Sequence, residues 1–308
     1  MERSRRTSDS GRVLVLGGAG FIGKKICSAL AERAVACDVV QQVSPDRSIS
    51  VQGDVQDVPR LVEVMKHFEI TDVIHLVGLP HIPTCQRSPH RSFGLNLGSV
   101  SSALEAMRLS DVKRIIFAST AAVYGKPGSN PVRETSPTNP LSTYGHHKLL
   151  AEKLLRCYVQ NYGLSSMVFR IFNVYGGDFK LHEDAISIFI RNALDGKPLS
   201  VNGGNQIRDF IRIDEVSAAF LQAIDLDYEG FEILNLGSGV PMSILAVAEI
   251  VRRAFSANVV NDPKILSGHY DIFADNTRLR STLKLNPSDP VIGIPDFLRS
   301  LSETVLVA

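Results

Sequence analysis

Residues 13 to 23, Val-Leu-Val-Leu followed at once by Gly17-Gly-Ala-Gly-Phe-Ile-Gly23, constrain this chain more than any other stretch. The four apolar residues read as a short buried strand, and the pattern that runs on to about Arg33 reads as a helix. Glycines between a strand and a helix have three physical uses. They permit positive φ in a tight turn, let a pyrophosphate approach the backbone, and let the helix sit close on the strand. The helix N-terminus then offers unpaired N–H groups to phosphate. An isolated glycine triplet says little, but one framed by strand and helix argues for a dinucleotide site over a plain Gly-rich turn.

The residue that holds the adenosine ribose should lie at the tip of the second strand, roughly 20 positions past the glycines. We expect that strand to end near Val40, which puts Gln41 and Gln42 at its tip. A carboxylate there argues for NAD and an arginine cluster for NADP; glutamine argues for neither, although Arg47 is close. Asp54 follows a short strand over 49–52 and is either a partner for the adenine edge or a turn or N-cap residue. Residues 57–68 read as a helix, and 72–78 as a buried strand in which His75 is a satisfied core histidine. The Pro- and His-containing stretch 79–91 reads as a loop rimming a ligand cleft. His81 and His90 lie in it without the Cys or acidic partners of a metal site.

A helix over about 96–108 and a strand over 113–120 follow, the strand ending in Ser119 and Thr120. Strands and helices alternating at this spacing predict right-handed βαβ units and an α/β, Rossmann-type, doubly wound parallel sheet. Ligands of such sheets bind outside the strand C-termini. Tyr144 and Lys148 come next, four apart on a helical pattern, so both side chains share one face. An ammonium beside a phenol favours the phenolate, which lets a group with a free pKa of about 10 serve as a base. His146 and His147 point off that face, as surface or interface residues. A hydroxyl, a phenol and an ammonium above a dinucleotide make a coherent hydride-transfer site.

The bulk numbers leave room for this and exclude other classes. The 308 residues suffice for one large or two modest domains, and the net charge of +1 gives no basic surface for nucleic acid. No apolar run approaches a membrane span. Residues 1 to about 11, rich in arginine, read as a disordered leader rather than a signal peptide. Cys27, Cys37, Cys85 and Cys157 have no paired spacing and suit a reducing, cytoplasmic compartment. We expect a dinucleotide-binding domain over 12–172 and a smaller substrate-binding domain over 173–308, with helices near 185–194, 214–224 and 243–255 and some segments returning to the first domain.

Taken in order, these segments resemble the extended short-chain dehydrogenase/reductases, specifically the NAD-dependent epimerase/dehydratase family of nucleotide-sugar enzymes. The resemblance runs from Val13 to about Leu285. It is carried by Gly17 to Gly23, Gly53-Asp-Val55, His75-Leu-Val-Gly78, Asn96-Leu-Gly-Ser99 and Ser119-Thr-Ala-Ala-Val-Tyr-Gly125. Tyr144 to Lys148, Arg170-Ile-Phe-Asn-Val-Tyr-Gly176, Gln206-Ile-Arg-Asp-Phe-Ile211 with Asp214-Glu-Val216, and Asn235-Leu-Gly-Ser-Gly239 complete it.

The resemblance implies that Tyr144 is the acid/base, that Lys148 holds the nicotinamide ribose and lowers the phenol pKa, and that Thr120 binds the sugar 4-OH. It implies a cofactor site of Gly17, Gly20, Phe21, Ile22, Gly23, Gln41, Asp54, Val55, Leu76, Val77, Gly78, Asn96 and Ser119, with Tyr144 and Lys148. Asn173 and Arg208 match contacts to the sugar-nucleotide diphosphate, Arg208 through the bidentate fork of its guanidinium rather than a surface ion pair with Asp209 or Asp214. The implied cofactor is NAD, with NADP as the alternative, and the implied partner is a nucleotide-diphosphate sugar. Relatives pair as homodimers through helices near 96–108 and 142–161, so a homodimer is expected; no metal is.

Three departures from the family matter. Ala121 and Ala122 replace the Asp-Glu pair of the 4,6-dehydratases, which disfavours dehydration. Leu266 stands where an arginine is usual two residues before the glycine at 268, leaving that phosphate contact to Lys264 or Arg278. Asn202 stands where an aromatic or apolar residue often packs on the nucleobase. The favoured activity is therefore 4-epimerisation through transient oxidation at C4. A 4-ketoreductase using NADPH is the runner-up, and a non-catalytic nucleotide-binding protein the third reading.

Overall fold

A computed structural model describes residues 11–41, 47–180, 182–262 and 270–305. The first half alternates strands and helices: β1 (Arg12–Leu16), α1 (Phe21–Leu30), β2 (Ala34–Asp38), β3 (Ile49–Gln52), α2 (Val58–His67) and β4 (Ile70–His75). Then come α3 (Ile82–Arg87), α4 (Pro89–Phe93), α5 (Ser99–Ser110), β5 (Arg114–Thr120), α6 (Thr143–Tyr162), β6 (Ser165–Ile171) and β7 (Asn173–Tyr175). The second half holds α7 (Ala185–Leu194), β8 (Leu199–Asn202), β9 (Ile207–Arg212), α8 (Ile213–Asp225), β10 (Phe231–Leu236) and β11 (Pro241–Ser243). It ends with α9 (Ile244–Phe255), β12 (Val259–Asp262), α10 (Thr277–Leu283) and α11 (Pro290–Val305).

Seven strands form one parallel sheet in the order β10-β6-β5-β4-β1-β2-β3. Side chains of a strand alternate between faces, and the two faces of β1 show it. Val13 and Val15 pack under α1 and α8 with Ile26, Leu30, Val216 and Phe220. Leu14 and Leu16 pack under α2, α5 and α6 with Leu61, Met65, Leu104 and Leu155. The order reverses between β1 and β4, so the cleft opens there, outside Leu16 and His75.

Strand β10 lies beyond residue 173 in sequence, yet it closes the edge of the main sheet against β6. The remaining strands of the second half build two small sheets, β11-β9-β7 and β12-β8, over a separate core that includes Phe189, Ile190, Phe210, Val247 and Phe297. The stretch expected as a loop over 79–91 contains α3 and α4 instead. Pro83 and Pro89 sit in their first turns, where a missing N–H costs nothing. A five-residue π turn over Gly94–Gly98 joins α4 to α5 and carries Asn96. No helix among the described residues is long and apolar enough to cross a membrane, and none of their His, Cys, Asp and Glu side chains cluster as metal ligands.

Candidate active site

The glycine turn has the geometry a pyrophosphate requires. Gly17 has φ 85° and donates its N–H to the Cys37 carbonyl at 2.9 Å. A Cβ on Gly23 would stand 2.2 Å from the Gly17 oxygen, so only glycine lets α1 approach the turn this closely. Gly20 caps α1 without a side chain, and the first turn carries no acidic residue, so its amides face outward unneutralised. Phe21 and Ile22 are half-buried beside them, and Phe21 stacks on His182 at 4.0 Å.

Strand β2 stops at Asp38, two residues before the expected end near Val40. The carboxylate at the tip is therefore Asp38, and Gln41 lies three residues beyond it, exposed. Asp38 accepts from the Ala19 N–H of the glycine turn at 3.2 Å and from the Val40 N–H at 3.3 Å. Val39 and Val40 extend the apolar pattern of the strand but are 60% and 62% exposed, which is why the sequence reads too long. Gln42 lies outside the described residues. Asp54 is exposed and accepts from Gln56 N–H at 2.9 Å as a turn residue, while Val55 is buried. The outward amides, the glycine turn and the strand-tip carboxylate fit an adenine dinucleotide.

Across the cleft, Leu76, Val77 and Gly78 continue from β4, half-buried. Asn96 holds this segment by two hydrogen bonds to Leu79, donating Nδ2–H to its carbonyl at 3.2 Å and accepting its N–H at 2.9 Å. Asn96 also donates to Ser92 Oγ at 3.1 Å, and Ser92 meets His147 Nδ1 at 3.0 Å. His147 is thus half-buried and tied to α4, whereas His146 is exposed as expected. The π turn that aims Asn96 inward left no mark in the sequence.

Helix α6 starts where Ser142 accepts the Gly145 N–H at 3.1 Å, placing Tyr144 in the first turn. Gly145 lets that turn press against residues 121–123, since a Cβ there would lie 2.8 Å from the Ala122 carbonyl. This contact brings Tyr144 beside Thr120, whose hydroxyl acts on its phenol. Burial pushes the phenol up to about 12, with the Thr120 hydroxyl pulling the other way and Cys85 adding to the rise. Lys148 is not among the groups that move it. The expected lowering by the ammonium is absent from the chain by itself, because Lys148 turns toward the sheet. It donates to the Ala118 carbonyl at 2.9 Å and approaches the Val77 carbonyl at 3.5 Å. Burial drives Lys148 down to about 7, opposed by Glu152.

Adjacent strand residues point to opposite sides, so Thr120 and Ser119 part company. Thr120 is half-buried and caps the turn at Ala122 N–H, 3.2 Å. Ser119 is buried and donates its hydroxyl to Glu152 at 2.5 Å, so that proton is not free to be given to a cofactor. His75 is buried as expected but has no hydrogen bond to either ring nitrogen, and burial, then Lys148, pushes it down to about 3.

On the substrate side, Asn173 and Arg208 come from adjacent strands, β7 and β9, and Asn173 donates to the Asp209 carbonyl at 2.8 Å. Arg208 donates to the Ile207 carbonyl at 2.8 Å and to the Tyr270 carbonyl, and lies 5.3 Å over the Tyr270 ring. Neither Asp209 nor Asp214 pairs with it. Asp209 is taken by the N–H groups of Ser238, Gly239 and Ala274, and Asp214 by Lys25 and Arg212. Burial lowers the Arg208 pKa, opposed by Tyr270 and Asp271, and no carboxylate among the described residues forms an ion pair with it. Asn202 is exposed at the end of β8. Lys264 and Leu266 lie outside the described residues, and Arg278 is occupied by Glu232 at 2.7 Å.

Comparison with known proteins gives a consistent picture. The UDP-glucose 4-epimerase of Azospirillum brasilense is 31% identical over 272 residues, 80% of this chain and 77% of that protein. A crystal structure of UDP-glucose 4-epimerase from Brucella ovis in complex with NAD matches with a TM-score of 0.84 at 28% identity, covering 94% of this chain and 97% of that one. The Thermotoga maritima UDP-glucose 4-epimerase shares the fold, with a TM-score of 0.88 at 24% identity over 96% and 99% of the two chains. The profile of the NAD dependent epimerase/dehydratase family spans residues 13–237. With that span and these relatives, the chain belongs to the NAD dependent epimerase/dehydratase family.

Proposed function

We propose that the protein is a nucleotide-sugar 4-epimerase that works on a UDP-hexose with NAD retained in the cleft. The observation that carries this reading is the contact of Tyr144 with Thr120 at the end of β5, above the cleft between β1 and β4. NAD, when bound, supplies a reversible hydride acceptor at C4. Thr120 holds the sugar 4-OH, and Tyr144 takes its proton as C4 is oxidised, then returns it when the sugar is reduced on the other face. Lys148 orients the nicotinamide ribose and supplies the positive charge that the phenolate needs. Arg208, with Asn173, grips the diphosphate while the keto sugar turns over. Ala121 and Ala122 leave room for that turn, and they offer no acid or base for elimination of water.

The supporting case for NAD over NADP is Asp38. A carboxylate at the tip of β2 accepts ribose hydroxyls and repels a 2′-phosphate. Asp38 thus weighs for NAD where Gln41 argued for neither cofactor. Gly17, Gly20 and Gly23 hold the pyrophosphate, and Leu76 to Gly78 line the nicotinamide end. We further infer a homodimer through α5 and α6, where Leu109, Leu150 and Tyr162 remain 46% exposed. A monomeric mass by light scattering counts against it. The scattered cysteines, three of them buried, suit the cytoplasm.

The test is direct. Purified protein is incubated with UDP-, dTDP- and GDP-hexoses without added cofactor, and products are followed by NMR. A C4 epimer forms from the UDP sugar, and its formation drops by about 10²–10⁴ in Tyr144→Phe, the usual worth of an acid/base group. Wild-type turnover by Tyr144→Phe, or turnover only of a keto sugar with added NADPH, refutes the reading.

A further inference from the structure

A chain of hydrogen bonds runs from the segment beyond β4 to His147 on α6, a residue that the proposed cycle does not use. Leu79 gives its N–H to Asn96 Oδ1 at 2.9 Å and takes Asn96 Nδ2–H on its carbonyl at 3.2 Å. A backbone N–H only donates and a carbonyl only accepts, so these two bonds fix which end of the Asn96 amide is oxygen. The other Nδ2 proton goes to Ser92 Oγ at 3.1 Å. Ser92 and Asn96 are fully buried, and among the described residues the remaining partner of the Ser92 hydroxyl is His147 Nδ1 at 3.0 Å. The Ser92 proton therefore goes to Nδ1, which must be bare, and the His147 ring carries its own proton on Nε2. Burial, then the neighbouring His146, lowers the His147 pKa against the pull of the Ser92 backbone, so the ring is neutral near neutrality. It is half-buried, with the Phe93 ring edge-on at 5.8 Å.

We propose that His147 is a positioning residue for the nicotinamide end of the cleft: by accepting the Ser92 proton it sets the Asn96 amide, and through that amide the backbone of Leu79 and Gly78. The inference rests on the proposed function, in which Leu76 to Gly78 line the nicotinamide. Every link points the same way, from Leu79 N–H to Asn96, from Asn96 to Ser92 and from Ser92 to His147. Without an acceptor at position 147 the chain has no end. Either the Ser92 hydroxyl is left buried with nothing to donate to, or Asn96 turns its oxygen toward Ser92 and loses both bonds to Leu79.

Gly78 carries the consequence to the site. A Cβ there would lie 2.8 Å from Asn96 Oδ1 and 3.2 Å from Lys148 Nζ, so its backbone passes between the two side chains. Lys148 Nζ also approaches the Val77 carbonyl at 3.5 Å. A shift of Leu79 therefore moves the wall of the nicotinamide end and the seat of Lys148 together. Cys85 donates its S–H to the Leu79 carbonyl at 3.1 Å, but it offers nothing to the Leu79 N–H, which Asn96 Oδ1 holds.

The experiment compares wild type with His147→Phe, which keeps a ring beside Phe93 but has no acceptor, and with His147→Asn, whose Oδ1 can stand in for Nδ1. Ser92→Ala and Ser92→Ala/His147→Phe complete a double-mutant cycle. Each protein, purified with its cofactor, is followed for kcat and KM on UDP-glucose and for hydrogen exchange of the Leu79 amide. His147→Phe should lower kcat about tenfold or more and speed Leu79 exchange about tenfold, with KM within about twofold of wild type. His147→Asn should recover most of both losses, and His147→Phe should add little once Ser92 is alanine. Wild-type kcat in His147→Phe, equal losses in His147→Phe and His147→Asn, or losses of His147→Phe and Ser92→Ala that simply add, overturn the proposal. So does a proton on Nδ1, read from the nitrogen NMR shifts of the His147 ring in wild type, a measurement that needs no variant to fold. Exchange and ring shifts do not depend on turnover, so they separate failure of this inference from failure of the epimerase reading, which Tyr144→Phe tests.

Discussion

Lys148 makes the link between burial and chemistry measurable. Its pKa is lowered from 10.5 to about 7 in the fold, mainly by desolvation. Between those values the unfolded chain holds a proton that the folded chain has released, so stability rises with pH through that window. Below it the full cost of burying the ammonium is felt. Lys148→Met should therefore flatten the dependence of stability on pH between 7 and 10.5, as read from denaturant midpoints, while losing turnover. An unchanged slope means that the lysine is not the group responsible. Asp38 makes a second prediction of this scale. Asp38→Ala should weaken NAD retention by roughly ten- to a hundredfold, the worth of a charged hydrogen bond of about 1.5–3 kcal/mol, and raise the relative affinity for NADP. Dialysis of the loaded enzyme measures it, and unchanged retention would remove Asp38 from the site.

At the scale of elements, the first turn of α6 does the positioning. It is started by Ser142, and it approaches residues 121–123 only because position 145 has no side chain. Gly145→Ala puts a methyl 2.8 Å from the Ala122 carbonyl, so the turn must shift and Tyr144 moves off Thr120. We expect kcat to drop about a hundredfold, as for a misplacement of about 1 Å, with the fold intact by circular dichroism. Wild-type kcat in that variant means the contact does not place the phenol. The same elements show what local sequence conveys. The strand, glycine turn and helix of β1 and α1, and the α6 pattern with Tyr144 and Lys148, are legible because each signal is contained within a dozen residues. Strand β2 is read too long because Val39 and Val40 are apolar yet exposed. Helices α3 and α4 are hidden because their prolines look like breakers, although a first-turn proline breaks nothing.

For the whole molecule, the parts missed are those made by distant partners. Strand β10 lies some sixty residues from β6 and is placed by the sheet edge it completes, not by anything in its own pattern. Asp209 ties β9, the strand that carries Arg208, to residues 238, 239 and 274, and a flat sequence carries no trace of that closure. Glu152 and Arg170 meet across α6 and β6 in the same way. The molecule thus carries a glycine turn at the end of β1 in the main sheet and Arg208 on β9 in one of the smaller sheets. Under the proposed function those parts serve one cycle, in which a hydride leaves C4 and comes back to it. Incubating the protein, without added cofactor, with UDP-glucose carrying deuterium at C4 tests this most directly. The expected product is UDP-galactose with the deuterium still at C4; deuterium lost to solvent, or lasting reduction of the cofactor with no epimer formed, would contradict it.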